Sequence, residues 1–163
     1  MQEARAVTSS GDLRAELGEQ ILLKLALDGV QSLERCKLGT AVIGTTGLRP
    51  EMMLTLLSYC YASRLYGSQE IERAVCTNRT IRYICARTFP DWRAIRYFRR
   101  HNRELIEQCL AYVLRKAWIL QAEPFDTDWL MCKGPAGTFD EVFAAQAREK
   151  IDVAIIMDRT DGD

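Results

Sequence analysis

The chain has 163 residues, of which 48% are hydrophobic and 27% charged, and its formal net charge is zero. This length suits one ordinary domain, and the composition is that of a globular chain rather than a disordered one. No apolar run reaches the roughly 18 residues that a membrane-spanning helix needs, and the polar N-terminus has no signal-peptide core. We therefore expect a cytoplasmic protein that makes no membrane contact.

The first predicted element is a helix over residues 12–38. Leucine and isoleucine recur in it at spacings of three and four, which places them on one helical face. The face consists of Leu13, Leu17, Ile21, Leu22 and Leu25. It can pack into the core or against a partner helix. Three glycines in residues 39–47 then separate this first unit from the rest of the chain.

Four further helices are predicted between residues 50 and 120. Pro50 suits a first helical turn, where its missing N–H has no partner, and Gly67 is a predicted C-terminal cap. Each of the next three helices has at its start a residue whose side-chain oxygen can accept a hydrogen bond from the free backbone N–H groups of the first turn. These predicted N-caps are Ser68, Asn78 and Asp91. The last of the helices is predicted to run unbroken from residue 92 to about residue 120.

Beyond Pro124 the pattern loosens. Residues 139–150 are predicted to be helical, and residues 151–158 are either a short buried strand or a helical turn. The sequence as a whole predicts an all-α, compact, multi-helix domain with a helix-turn-helix-like segment, a long later helix and an irregular acidic tail. We expect an N-terminal helical segment at 1–45, the main helical domain at 46–122 and an acidic extension at 123–163.

Positive charge is concentrated in the middle of this neutral chain. From Arg79 to Arg103 there are eight arginines, no lysine and one acidic residue, whereas residues 104–163 carry six basic and twelve acidic side chains. At about 100° per residue, five arginines of the helix after Pro90 fall in an arc of roughly 120°, away from the apolar face. Guanidinium groups fork onto phosphate oxygens and guanine edges, which favours nucleic-acid contact over a merely solvated face.

The helix around residues 81–86, the proline-containing turn and the arginine-faced helix are compatible with helix-turn-helix docking. Early residues of the second helix would then meet base edges, and later ones phosphates. The predicted DNA-binding residues are Arg79, Arg82, Arg87, Trp92, Arg93, Arg96, Arg99, Arg100, His101 and Arg103. This interpretation requires the arginine face to point outward without carboxylate partners from the same fold.

Catalytic and metal-binding patterns are lacking in the sequence. The six cysteines form no closely spaced ligand pair and His101 is the only histidine, so we expect no metal and no cofactor. The cysteines are instead predicted to be buried free thiols. They are Cys36, Cys60, Cys76, Cys85, Cys109 and Cys132.

A series of short motifs occurs in order along residues 47–114. They are Arg49-Pro50, Met53-Leu54, Leu56-Leu57, Tyr59, Tyr61, Ser68, Ile71-Glu72, Ala74, Ile81-Arg82-Tyr83, Pro90-Asp91, Ile95 and Phe98-Arg99-Arg100. With these motifs, residues 47–114 resemble the N-terminal domain of DDE-type insertion-sequence transposases of the InsH kind. The chain departs from the family pattern at Ala94, where threonine is usual, and at Trp92, where histidine is common.

The resemblance implies binding to double-stranded DNA, with transposon ends as the candidate target, and self-association or pairing with a full-length transposase. Such enzymes use carboxylates of a separate RNase H-like domain to hold two metal ions. We expect no such activity here, with Asp126, Asp128, Asp152 and Asp158 serving as acidic surface or helix caps. The alternative is a helical interaction or dimerisation module that does not bind DNA, using the first helical face or the tyrosines Tyr59, Tyr61 and Tyr66.

The basic middle of the chain and its acidic extension are also complementary in charge. The acidic extension can fold over the arginines and weaken DNA binding, although two separate solvated surfaces explain these charges nearly as well.

Overall fold

The structure, a computed structural model, describes residues 12–39, 41, 49–86, 88–121 and 136–161. Within these ranges the chain is helical and has no strand, so the all-α prediction is confirmed. The helices, in chain order, are α1 (Leu13–Leu17), α2 (Glu19–Gln31), α3 (Arg35–Leu38), α4 (Pro50–Ala62), α5 (Ser68–Thr77), α6 (Arg79–Cys85), α7 (Trp92–His101), α8 (Arg103–Gln121) and α9 (Ala136–Asp161).

The core is built around α4 and α8. Residues 53–62 of α4 are all buried, as expected for a helix that is apolar on every side. Helix α8 packs against α2, α4 and α9. Buried side chains from the N-terminal helices, from α4 to α8 and from α9 belong to one continuous hydrophobic cluster.

The single helix predicted over residues 12–38 is wrong, because the chain breaks twice. Gly18 takes φ +91°, a backbone conformation that favours glycine and separates α1 from α2. Residues 32–34 then separate α2 from α3. Leu13, Leu22 and Leu25 are buried in the core, whereas 47% of Ile21 is exposed.

The surfaces suggested for an interaction module are therefore mostly core. Besides the three leucines, the tyrosines Tyr59 and Tyr61 are fully buried. Tyr66 is partly buried and its ring stacks on that of Tyr61, with centroids 6.0 Å apart. Neither the leucine face nor the tyrosines offer the continuous exposed apolar patch that a docking face needs.

Local rules place most of the helix starts correctly. Pro50 is the first residue of α4. Asn78 Oδ1 accepts hydrogen bonds from the N–H groups of Thr80 and Ile81, at 2.9 and 3.1 Å. The predicted roles of Gly67 and Ser68 are wrong, because α4 ends earlier, at Ala62, and Gly67 takes the N-cap position of α5 with Ser68 as its first helical residue.

The long helix predicted from residue 92 to about residue 120 is two helices. Asn102 leaves the helical conformation, with φ −128° and ψ 30°, and separates α7 from α8. Its buried side chain donates to the carbonyl oxygen of Phe98 at 2.9 Å. An asparagine side chain competes in this way with the backbone pattern of a helix, so Arg103 does not continue the arginine arc of α7.

The C-terminal region differs most from its prediction. Residues 151–158 are neither a strand nor an isolated turn, and residues 136–161 are not irregular, since they form the 26-residue helix α9. Phe143, Ala147, Ile151 and Ala154 recur on one face and are buried, because α9 packs along α8. The remainder of the predicted tail, residues 123–135 and 162–163, lies outside the described residues.

Helices α6 and α7, which form the predicted helix-turn-helix segment, do not pack closely against each other. Helix α6 packs mainly on α4 and α5, and α7 packs mainly on α5 and α8. Helix α7 is thus positioned in the fold by α5, which precedes the predicted pair.

Candidate nucleic-acid interface

The start of α7 is held by two side-chain hydrogen bonds. Asp91 Oδ1 accepts from the N–H of Ala94 at 2.8 Å, which confirms Asp91 as the N-cap. The N–H of Trp92 donates to Glu72 Oε2 of α5 at 2.9 Å. Both bonds satisfy N-terminal amides that have no helical partner. They fix the direction in which α7 leaves α5.

Two arginines lie against the ring of Trp92. The Cζ atoms of Arg96 and Arg93 are 4.5 and 4.9 Å from the indole centroid, within cation–π range. Trp92 itself is half-buried and Arg93 is exposed. The indole ring of Trp92 therefore packs against both guanidinium groups on the side that faces the rest of the fold.

The buried position of Arg99 contradicts the expectation that the whole arginine face points outward. Only 7% of Arg99 is exposed, and its Nη2 forms an ion pair with Asp158 Oδ2 of α9. Arg99 lies roughly 120° around α7 from the exposed Arg93, which places it at the contact with α9 instead of on the open surface. The assignment of Arg99 to an outward DNA-binding face is therefore wrong.

Asp158 connects α9 to both α5 and α7. Its Oδ1 accepts from the N–H and from the Oγ–H of Ser68, each at 2.7 Å. The carboxylate thereby caps α5 from 90 residues away, which fits the helix-capping role expected for the C-terminal aspartates. Ser68 was predicted to cap α5 itself, and Asp158 performs that function.

Arg96 is also tied into this contact. Its Nε donates to Ser68 Oγ at 3.0 Å, and its Nη2 donates to the carbonyl oxygen of Asp158 at 3.1 Å. The Nε atom lies 3.6 Å from Asp158 Oδ2. The expectation of an unpaired, outward Arg96 is wrong for the same reason as for Arg99, namely that α9 covers this edge of α7.

The buried pair lies beside the hydroxyl of Tyr61. Burial, to which the Asp158 carboxylate adds, raises the pKa of Tyr61 to about 12, so this phenol stays neutral. Burial by itself lowers the pKa of Arg99. The Tyr61 hydroxyl and the Asp158 carboxylate raise it by more, so the pKa of Arg99 lies above its ordinary value. Arg99 is therefore a permanent buried cation.

Arg103 has a weaker internal partner. Its Nη2 lies 2.5 Å from Asp152 Oδ1, with 43% and 56% of the two side chains exposed. Such a solvated pair is worth about 0–1 kcal/mol. The expectation that Arg103 lacks a carboxylate partner is wrong, but the pair leaves Arg103 accessible.

Four of the predicted arginines are exposed and form no ion pair with any described residue. These are Arg79 and Arg82 of α6 and Arg93 and Arg100 of α7. Arg82 donates to the carbonyl oxygen of Cys76. His101 is exposed, its ring stacks on Tyr97 at 4.1 Å, and its Nδ1 lies 2.8 Å from the Tyr97 carbonyl oxygen. Arg87 lies outside the described residues.

One arginine of this region was missed from the sequence. Arg159 of α9 lines a groove between α7 and α9 together with Arg96, Arg99, Arg100, Arg103, Ile155 and Asp158. It directly follows residues 151–158, for which the sequence predicts a strand or a helical turn, and lies in the predicted irregular tail. The spacing of Phe143, Ala147, Ile151 and Ala154 is the sequence signal that would have placed Arg159 on a helix.

The described part of the chain contains no cluster of three potential metal ligands and no helix that could span a membrane. Cys60, Cys85 and Cys109 are buried free thiols as predicted, whereas Cys76 is exposed. Burial raises the pKa of Cys109 to about 12 and that of Cys85 to about 11. The side chains of Cys36 and Cys132 lie outside the described residues.

The fold and its basic helices define an all-helical domain with a clustered arginine surface. A family model described as transposase domain (DUF772) matches residues 3–101, which include α1 to α7. This match covers more than half of the chain, so the chain belongs to the DUF772 transposase-domain family. The resemblance to the N-terminal domain of insertion-sequence transposases is confirmed. No curated protein and no solved structure matches the chain.

Proposed function

We propose that the chain is the DNA-binding module of a transposase-type protein and that the exposed arginines of α6 and α7 contact the DNA backbone. The observation that carries this proposal is the pairing pattern. After Arg99, Arg96 and Arg103 are assigned to carboxylates of α9, four arginines on two successive helices remain exposed and form no ion pair with any residue that the structure describes.

The type and position of these residues support the proposal. Arg93 lies in the first turn of α7 and Arg100 two turns later on the same side, since seven residues make nearly two helical turns. Guanidinium groups bind phosphate oxygens in pairs of hydrogen bonds. The exposed arginines on that side of α7 repel one another, and an approaching polyanion relieves this repulsion. The helix-turn-helix docking predicted from the sequence is part of the proposal, with α5 holding α6 and α7 in place.

The direct test replaces exposed arginines that form no ion pair with a described residue. Arg93→Ala combined with Arg100→Ala should weaken duplex DNA binding roughly tenfold, the worth of about one charge-assisted hydrogen bond, or more. Lys24→Ala with Arg148→Ala removes the same charge from α2 and α9 and serves as the control. Fluorescence anisotropy with a labelled duplex measures both. Equal affinities of the two double variants would argue against α7 as the interface.

We further propose that the aspartates of the C-terminal region carry out no DNA strand cleavage or strand transfer. Asp158 is committed to Ser68 and Arg99, and Asp152 to Arg103, while Asp126 and Asp128 lie outside the described residues. Incubation of the chain with supercoiled DNA and Mg²⁺ should leave the DNA intact. Nicking that is lost in Asp152→Asn or Asp158→Asn would contradict this part of the proposal.

Self-association and pairing with a full-length transposase belong to the same proposal. Sedimentation of the chain with and without duplex DNA measures the first directly. A dimer whose DNA affinity is unchanged by Arg93→Ala and Arg100→Ala would favour the interaction module instead.

A further inference from the structure

The groove between α7 and α9 has the composition of an anion site. It encloses about 590 Å³ and is lined by five arginines, one carboxylate and Ile155. Three of the arginines come from α7, one begins α8 and one comes from the end of α9. The groove thus exists only because α9 packs beside α7. Its charge is strongly positive although the whole chain is neutral.

The internal carboxylates leave most of this charge uncompensated. Asp158 is already bound by Ser68 and by Arg99 and Arg96. Asp152 pairs with Arg103 at the edge of the groove. Arg100 and Arg159 are exposed and form no ion pair with any described residue. At least two guanidinium groups therefore face the groove with their full charge.

A buried donor also remains unused there. Arg99 is only 7% exposed. Its guanidinium lies beside the buried Tyr61 hydroxyl, but neither its Nη1 nor that hydroxyl forms a well-aligned hydrogen bond with any described group. A buried polar group without a partner is costly, and buried donors nearly always find one. An oxygen atom of a ligand in the groove is the kind of acceptor that Arg99 lacks.

We propose that this groove, named here the α7/α9 cleft, binds a phosphate group. Several guanidinium groups converge on it, and planar forks match the oxygen atoms of a phosphomonoester or phosphodiester. Arg99 supplies the buried donor, and Arg100, Arg103 and Arg159 close the open side. The proposal goes beyond DNA binding by exposed α6 and α7 arginines, because it requires Arg159 and a free phosphate is sufficient for it.

The probe is inorganic pyrophosphate, titrated into the full chain against sodium chloride of equal ionic strength. Saturable shifts should appear in the arginine Nε–H resonances of the cleft by NMR. Arg159→Ala should weaken pyrophosphate binding about tenfold or more, which is the worth of one charge-assisted hydrogen bond. Arg159 forms no ion pair within the described part of the chain, so its replacement leaves the Arg99–Asp158 contact in place.

The matched control is Arg148→Ala, which removes an arginine from the same helix outside the cleft, where it pairs with Glu107. Its pyrophosphate affinity should stay within twofold of the unaltered chain. The proposal is overturned if pyrophosphate produces no saturable change up to millimolar concentration. It is equally overturned if Arg148→Ala loses as much affinity as Arg159→Ala, because net charge would then account for binding.

A second arm identifies the source of the phosphate. If the phosphate belongs to a DNA backbone, pyrophosphate competes with a labelled duplex and Arg159→Ala weakens duplex binding as well. If it is a free phosphate, duplex affinity is unchanged by Arg159→Ala. Both outcomes support the cleft. If the unaltered chain binds duplex DNA but not pyrophosphate, the cleft is rejected and the proposed DNA-binding function stands. If the chain binds pyrophosphate but not duplex DNA, the proposed DNA-binding function is rejected and the cleft stands.

Discussion

Asp158 is the residue on which the arrangement of the basic region depends. One carboxylate caps α5 through Ser68, neutralises the buried Arg99 and anchors Arg96. The same contact removes two arginines from the surface proposed to bind DNA. The arginines of α7 therefore fall into two groups. Those nearest to α9 are bound within the fold, and those farther around α7 from α9 are exposed.

Replacing Asp158 by asparagine should be strongly destabilising. The buried Arg99 would lose its counter-charge, and breaking a buried pair in this way costs about 3–5 kcal/mol. Asp152→Asn, which breaks the solvated pair with Arg103, should cost about 0–1 kcal/mol. Urea denaturation of the two variants and the unaltered chain gives both free energies of unfolding. Similar losses in the two variants would contradict the structural role assigned to Asp158.

Helix α9 is the element that changes the interpretation of the arginine cluster. It places Asp152 and Asp158 against arginines of α7 and α8 and adds Arg159 to the groove. These two aspartates are the residues through which the acidic extension would cover the arginines. Deleting residues 151–163 is not a clean test, because Ile151 and Ala154 are fully buried and their loss would open the core.

A cleaner test of charge masking replaces one exposed carboxylate. Asp152→Asn frees Arg103 and should tighten duplex DNA binding about two- to threefold at low salt, within the small energy of a solvated pair. Asp140→Asn is the matched control, since it breaks the exposed pair of α9 with Arg115 and removes the same charge. Anisotropy titrations at low and high salt compare them. Equal tightening in both variants would mean that net charge, and not the release of Arg103, is responsible.

Local signals predicted what depends on local chemistry. Pro50, Asn78 and Asp91 begin their helices as expected because a cap needs only the neighbouring amides. The cap of α5 comes from Asp158, and no local rule connects it with Ser68. The break at Asn102 is different, because its side chain bonds locally to the carbonyl oxygen of Phe98, four residues earlier. A contact with another element therefore decides the cap of α5, whereas a local side-chain bond that apolar spacing does not reveal accompanies the break at Asn102.

At the scale of the whole molecule, the fold and the family are predicted by different features of the sequence. The periodicity of apolar residues predicts an all-helical domain, and the ordered motifs of residues 47–114 predict the transposase family that the match over residues 3–101 shows. The candidate site is only partly predictable. The sequence locates the arginines, but α9 determines which of them remain free, and it adds Arg159 from the predicted irregular tail.

The measurement that tests the central claim most directly is the salt dependence of duplex DNA binding by the full chain. If Arg79, Arg82, Arg93 and Arg100 each neutralise a phosphate, the logarithm of the binding constant should fall with the logarithm of salt concentration at a slope near −0.9 per contact, about −3 to −4 in total. The Arg93→Ala and Arg100→Ala double variant should reduce that slope by about 2. A slope near zero, or one that the double variant leaves unchanged, would contradict DNA binding by this surface.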